Sequence, residues 1–517
     1  MDQAAGIQQD PRWYWRVFAG LVGLWFVLIL LPIILADRPF NDDVVRQATG
    51  FYGWNANGRH LSNLLMRVLA LGQSRLVDLS PLPQLMALPI LAVGSLYWLQ
   101  RIRIQSVGMA ILVALPIGAQ PFYLENLSYQ FDAGFMALGC TAALFAASRF
   151  RRDAGGIAIA AVALLACFGL YQPAINVFLV AFLLVLVRAR LDGEVMHVIV
   201  RDLLGAVALA GAIGMLHRTL TAHSVSAWVG EHSQLLPFHD LLSGLIANSS
   251  AFIGFAAASF HARTLLLWAL FAALGAMPWW QFRRTQPSAT SLYAAMFWLI
   301  LPIAMLLASV GPMLLLRDPV ILPRVLLATG MLIAGFLAVG AFAIERSAQT
   351  TSSVATALRR TWFAATGLFM LIATTHAYAY GNALQAQKQL EHRIVSSLRD
   401  DLWQLQQDAG ITAVRLDGSM TQSATTQRIG QSFPFIGRMI WPYLHHSDDF
   451  SVAFLSQHLP ESLRLVPRTE TPGWSTTECP SVVVRRADYR IRIFEHTAIV
   501  ELIADASWHC SHDGPAS

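Results

Sequence analysis

The chain has 517 residues, of which 55% are hydrophobic and 13% are Asp, Glu, Lys or Arg. Soluble domains carry about 25% charged residues, so this composition, with a mean hydropathy of +0.51, argues against a soluble enzyme and for a polytopic membrane protein. The net charge of +5 does not mark a nucleic-acid binder: the basic residues are Arg apart from Lys388, and they cluster in short connections between apolar runs.

Apolar runs predict eleven transmembrane helices at 17–35, 82–99, 107–123, 131–147, 155–170, 174–187, 203–216, 264–280, 291–309, 325–344 and 362–379. No cleavable signal peptide is expected, since the first run starts near Val17 without a small-residue cleavage site. The connections holding Arg101/Arg103, Arg149/Arg151/Arg152, Arg188/Arg190/Arg201, Arg283/Arg284 and Arg346/Arg359/Arg360 all fall on one side if the N-terminus is cytoplasmic. The C-terminal tail then lies outside. The segment 241–260 is apolar enough to span but would reverse Arg283/Arg284, and Asn248-Ser249-Ser250 interrupts it; an interfacial or re-entrant helix is expected there.

The composition changes at Gly381, which divides a membrane domain, 1–380, from a water-facing α/β domain, 381–517. In the tail, Leu390, Ile394, Leu398 and Leu402 are four apart and predict an amphipathic helix at 384–409, stopped by Gly410. Short strands are expected at 411–416, 482–485, 489–494 and 498–503. Cys140 and Cys167 read as small core residues, whereas Cys479 and Cys510 lie in the tail, where a disulfide would persist if they pair.

Chemistry concentrates in the outer connections. The first, 36–81, opens with Asp37-Arg38-Pro39-Phe40-Asn41-Asp42-Asp43 and continues through Arg46, Gly50, Trp54, Gly58 and Arg59. A carboxylate at this level can take a proton from an incoming hydroxyl; equally, Asn41 can cap a helix whose first turn favours acids. A second cluster is Glu125–Asp132, with Asp132 at the mouth of the next span, where an ionisable group needs a partner or water. Tyr171-Gln172-Pro173 closes the fifth span at the same level and serves to break the hairpin. Arg317-Asp318-Pro319 and Pro323-Arg324 run against the positive-inside bias; they are suited to a phosphate at the interface, or else Arg317 pairs with Asp318 or snorkels to headgroups. His445-His446-Ser447-Asp448-Asp449 is consecutive rather than spaced like a metal-ligand set, and no nucleotide-binding fingerprint occurs.

The run Asn41-Asp42-Asp43-Val44-Val45-Arg46, followed by Gly50, Trp54, Gly58-Arg59 and Asp78-Leu79-Ser80-Pro81-Leu82, resembles the Gtr-type bacterial membrane glucosyltransferases that modify O-antigen or related surface polysaccharides. The resemblance extends through Glu125–Asp132, Tyr171-Gln172, Pro323-Arg324 and the tail from Asn382, including Trp441-Pro442. It implies a GT-C-like fold: an all-α polytopic membrane protein of about eleven spans with a small C-terminal α/β domain in the periplasm, set in the bacterial inner membrane with its N-terminus cytoplasmic. It also implies a polyprenyl-phosphate-linked sugar, with glucose the implied hexose, as donor, and a saccharide of O-antigen or another surface glycan as acceptor. A donor synthase and a flippase are implied partners; no nucleic acid is.

On that resemblance Asp43, or Asp42, acts as general base in a single displacement at the sugar C1, and Arg324 with Arg317 or Arg59 binds the donor phosphate. Arg46, Trp54, Glu125, Tyr129, Asp132, Tyr171 and Gln172 are the expected substrate contacts. The scheme needs neither metal nor other cofactor. Another lipid-linked sugar such as mannose or aminoarabinose is not separated by the sequence. Of the rival classes, a flippase or transporter of lipid-linked oligosaccharide would place ionisable groups mid-span, and a polymerase or ligase would favour large Arg-rich outer loops.

Overall fold

Local signals set where the elements begin and end. The computed structural model describes residues 10–284, 292–347, 353–467 and 481–503. Asp10 accepts the Arg12 N–H at 2.9 Å and Pro11 starts α1 (Pro11–Trp25), which continues through a π turn, Phe26–Leu30, into α2 (Leu31–Ala36). Then come α3 (Asp42–Thr49), α4 (His60–Leu69), α5 (Leu82–Ile102), α6 (Val107–Ala119), α7 (Tyr123–Ser128), α8 (Ala133–Arg149), α9 (Ala154–Leu170) and α10 (Ile175–Leu191). They are followed by α11 (Met196–Thr221), α12 (Ala227–His232), α13 (Leu241–Ala258), α14 (Ala262–Arg284), α15 (Leu292–Val310), α16 (Thr329–Ser347) and α17 (Ser353–Ala409). Ser106, Asp153 and Ser226 cap α6, α9 and α12 by accepting backbone N–H groups one turn on.

Among the described residues, five helical stretches are able by length and composition to cross a membrane: Pro11–Ala36, Leu82–Ile102, Gln172–Leu191, Met196–Thr221 and Phe238–Ala258. Shorter apolar helices include Val107–Ala119, Ala133–Arg149, Ala154–Leu170 and Thr329–Glu345. Large apolar side chains such as Leu204, Met215, Leu242 and Leu266 are exposed on α11, α13 and α14, the arrangement of a helical membrane protein.

At three places the helices differ in kind from the sequence expectation. The run 107–123 is broken after Ala119: Gln120 is extended because it precedes Pro121, and the chain re-enters helix as α7. The segment containing Asn248-Ser249-Ser250 is one unbroken helix, α13, so it contains no re-entrant hairpin. Asn248 leaves the helical ladder intact and donates from its buried side chain to the Leu314 and Leu316 carbonyls at 2.9 and 2.8 Å. The run 362–379 and the amphipathic helix 384–409 are a single 57-residue helix, α17; Gly381 lies within it, since a lone glycine costs only about 1 kcal/mol in a helix.

The chain divides into two compact units. The first comprises Met1–Pro32, Gly53–Gly72 and Leu79–Tyr378; the second comprises Ile33–Tyr52, Gln73–Asp78 and Ala379–Ser517. The first connection is therefore shared out: Asp42 and Asp43 fold with the tail, and Trp54 and Arg59 with the membrane helices.

Within the second unit, β1 (Ala413–Asp417) is followed by α18 (Ala424–Ser432), α19 (Pro434–Met439), α20 (Asp449–Ser456), β2 (Arg464–Leu465), β3 (Val482–Arg485), β4 (Tyr489–Phe494) and β5 (Thr497–Leu502). They form one sheet of order β2-β1-β5-β4-β3, parallel across β2-β1-β5 and antiparallel across β5-β4-β3. Ile394, Leu398 and Leu402 of α17 share its buried core with Val414, Phe454, Ile491 and Val500, and with Val44 of α3. The His445–Asp449 run is spent locally: His446 Nδ1 accepts the Gly418 N–H at 3.0 Å, Ser447 bonds Leu416, and Asp448 caps α20. Cys479 and Cys510 lie outside the described residues.

Asp401 of α17 accepts from both Arg486 nitrogens at 2.9 and 2.6 Å and from the Tyr489 hydroxyl at 2.7 Å. The Arg486 bonds hold its carboxyl below the usual range against the opposing effect of burial. Its stabilisation is thus complete above about pH 4, the unfolded value, and is lost as pH falls through the depressed folded value. Asp401→Asn should narrow the stability gap to the parent as pH drops from about 7 to about 3, read as converging unfolding temperatures of the full chain in detergent.

Candidate functional site

In the membrane unit, three proline-bent connections converge. Pro121 precedes α7, Pro173 lies in the 3-10 turn Gln172–Ala174, and Pro323 opens the 3-10 turn Pro323–Val325. Together they place Glu125, Tyr129, Asp132, Tyr171, Gln172 and Arg324 beside Arg59, which precedes α4. The Arg324 guanidinium lies 3.0 Å from Glu125 Oε1 and 2.5 Å from the Tyr129 hydroxyl, and its backbone N–H donates to Glu125 Oε2 at 2.7 Å. The Tyr171 hydroxyl donates to the Arg324 carbonyl at 2.9 Å. Arg59 donates from Nε to Gln172 at 3.3 Å, approaches Asp132 at 3.7 Å, and sits 4.8 Å above the Tyr171 ring. Trp54, fully buried, donates to Asp132 at 2.5 Å. It is therefore a support for Asp132 rather than a surface on which a sugar could stack.

Gly58 makes this approach possible. It has φ +68°, and a Cβ there would lie 3.3 Å from the Gln172 amide that donates to the Asn57 carbonyl at 2.8 Å. Two guanidiniums and two carboxylates thus share a largely buried cluster, with the Arg59 and Arg324 side chains still 18% and 22% exposed. Burial pushes the Glu125 carboxyl upward, and the Arg324 charge and hydrogen bonds only partly offset it. Burial also raises the Tyr171 phenol to about 12, which keeps it a donor. Chemically, the cluster offers guanidinium donors for an anion beside buried carboxyl groups.

The acidic pair belongs to the second unit. Asp42 and Asp43 form the first turn of α3, which Gly50 ends at φ +68°. Asp43 is fully buried and accepts the Phe40 N–H at 3.2 Å, the capping role open to an acid in a first turn. Asp42 is the accessible member, with 53% of its side chain exposed and Arg46 3.8 Å away. Arg46 itself is buried. Val44 fixes α3 in the core of the unit, where α20 packs against it and Gln457 donates to the Val44 carbonyl at 3.3 Å.

Arg317 joins neither network. It is exposed, its backbone N–H bonds Gln234, and Asp318 pairs with His232 at 3.2 Å instead of with Arg317. Five participants had no sequence assignment. Asn126 donates to the Tyr171 hydroxyl at 3.3 Å inside the membrane-unit cluster. Arg38 and Glu391 form a bidentate pair at 2.9 and 2.8 Å, both within the second unit. Gln387 also donates to Glu391, at 3.2 Å, and the Tyr443 ring lies 4.0 Å from the Arg38 guanidinium. The signal for Glu391 was its place on the apolar stripe of the tail helix: Leu384, Gln387, Glu391, Ile394, Leu398 and Leu402 share one face, and a polar residue there demands a partner.

The family described as Glucosyl transferase GtrII matches residues 31–335. A protein of Salmonella phage P22, described as an uncharacterized 55.3 kDa protein in the gtrB 5' region, is 25% identical over 399 residues, covering 76% of this chain and 79% of its own length. No solved structure matches the chain.

Arg38 and Glu391 are only 2% and 1% exposed, so removing one strands the other's charge. Arg38→Ala or Glu391→Ala should each destabilise the second unit by about 3–5 kcal/mol. Denaturant unfolding of the full chain in detergent checks this; a loss below 1 kcal/mol (about one neutral hydrogen bond) contradicts it.

Proposed function

The chain belongs to the GtrII glucosyl transferase family, and on that premise we propose that it moves glucose from a polyprenyl-phosphate donor to a saccharide of O-antigen or another surface glycan, at the periplasmic face of the bacterial inner membrane. The observation that carries the reading is the paired Arg59 and Arg324 cluster, built at helix ends within the residues the family covers. A lipid-phosphate donor presents its scissile bond at the headgroup level. The arginine-rich connections on the opposite side of the spans support a cytoplasmic N-terminus and an outer location for this chemistry.

The reaction is a single displacement. The acceptor oxygen bonds to C1 as the C1–O bond to phosphate breaks, the bonding pair leaves with the phosphate, and the acceptor's proton passes to a carboxylate. Inversion at C1 follows. Arg59 and Arg324 hold the phosphate as its charge grows, which fixed guanidinium donors do better than water. Asp42 is the proposed base because it is the exposed acid of its pair, and Asp43 holds the turn that carries it. A second reading assigns the base to Glu125: its raised value moves it toward neutrality, where proton transfer is most effective, and it already contacts Arg324.

Purified protein given polyprenyl-phosphate glucose and a glycan acceptor separates these assignments. Asp42→Asn should lower kcat by about 10²–10⁴-fold with the chain still folded. Full activity of Asp42→Asn together with loss in Glu125→Gln transfers the base to Glu125. Arg324→Ala should raise the donor KM, and unchanged kinetics would remove Arg324 from the phosphate site.

A further inference from the structure

Beside α9, the membrane unit carries an open groove of about 560 Å³. Its walls are almost wholly apolar and are formed by Leu138 and Ala142 of α8, Val162 and Ala166 of α9, and Leu61 and Leu170 at one end. The Thr141 hydroxyl in its wall is already spent on the Ile90 carbonyl at 2.7 Å. From Ala158 to Leu170 the groove follows about 18 Å of helix at 1.5 Å per residue.

The two ends differ. At one, Tyr97 and Phe145 meet edge-on at 4.9 Å, and the Arg149 guanidinium lies over the Tyr97 ring at 5.2 Å. At the other, the lining residues Leu61 and Leu170 pack through Gly169 and through the Ser62 hydroxyl, which donates to the Leu170 carbonyl at 3.0 Å. Each of these leucines is next to the polar cluster along its own chain. Leu61 follows Arg59 by two residues, and Leu170 precedes Tyr171-Gln172, the partners of that same arginine. A groove that is apolar along its length, and whose end residues are chain neighbours of a partly exposed guanidinium and its partners, matches an amphiphile with a long hydrocarbon tail and one anionic head.

We propose that this groove holds the isoprenoid tail of the donor, with the first isoprene units between Leu61 and Leu170 and the phosphate at Arg59. The inference rests on the reading of the donor as a polyprenyl-phosphate sugar. The small side chains Ala142, Ala158 and Ala166 leave the space that a methyl-branched chain fills. The phosphate end is fixed by charge and the tail by apolar burial, so the tail contributes to donor affinity without touching the reacting atoms.

The test compares a long polyprenyl-phosphate glucose with a two-isoprene analogue, using full-length parent, Ala142→Phe and Ala166→Phe. The variants should raise KM for the long donor about ten-fold or more while kcat and use of the short donor stay at parental values. Parental kinetics with both donors would overturn the groove assignment. In the parent protein, a donor with a photoreactive tail should label peptides within 138–170 or those containing Leu61 or Tyr97, and excess polyprenyl phosphate, unlike bilayer phospholipid, should suppress the label. Labelling elsewhere, or equal suppression by phospholipid, overturns the proposal even if a variant fails to fold. If the parent transfers glucose from neither donor, the donor reading itself falls; transfer with an unlabelled groove removes only this inference.

Discussion

A charge withdrawn from water must find its counter-charge within hydrogen-bond reach, and this constraint organises both units of the protein. In the membrane unit, Arg324 is held by Glu125, and Arg59 approaches Asp132. In the second unit, Arg38 meets Glu391, Asp401 meets Arg486, and Arg492 meets Glu501. Burying an isolated ion costs several kcal/mol, so most of these pairs tie together distant stretches of chain, while Arg492 and Glu501 join the neighbouring strands β4 and β5. Arg38 and Glu391 are 353 residues apart, and Glu125 and Arg324 are 199 apart.

The same constraint explains how the first connection is used. Its opening part carries a helix whose Val44 is buried in the tail's core, and its later part carries Trp54 and Arg59 toward the Asp132 carboxylate. A run that reads as one loop therefore serves two cores. Asp42 and Asp43 are adjacent, yet one is largely exposed and the other completely enclosed: successive residues in a helix point about 100° apart, and Asp42 falls on the outer side while Asp43 and Val44 turn inward. Their chemical roles diverge for that reason.

Proline supplies the irregular backbone at the membrane-unit cluster. Helices satisfy their backbone polar groups internally, which suits hydrocarbon, whereas a turn in the chain lets neighbouring residues such as Tyr171 and Gln172 reach the same arginine. Interruptions at Pro121, Pro173 and Pro323 let three connections turn inward, and Gly58 permits the close approach of Gln172. The apolar groove beside α9 is lined at one end by Leu61 of α4 and Leu170 of α9, two helices that pack together and whose neighbouring residues Arg59 and Tyr171 belong to the polar cluster.

Much of this was legible from residue order. Twenty-odd apolar residues in a row leave a chain few alternatives to a helix in lipid, and alternation in the tail marked strands that the sheet contains. The candidate residues Glu125, Tyr129, Asp132, Tyr171, Gln172 and Arg324 were visible as polar groups at span ends, where burial without a partner is costly. Their partners were not visible. Asp318 had a neighbouring Arg317 but pairs with His232, and Glu391 pairs with an arginine near the other end of the chain. Hydrophobic periodicity is a local property and can be read along a segment. Which cation meets which carboxylate depends on contacts between segments hundreds of residues apart, and those exist only once the chain has folded.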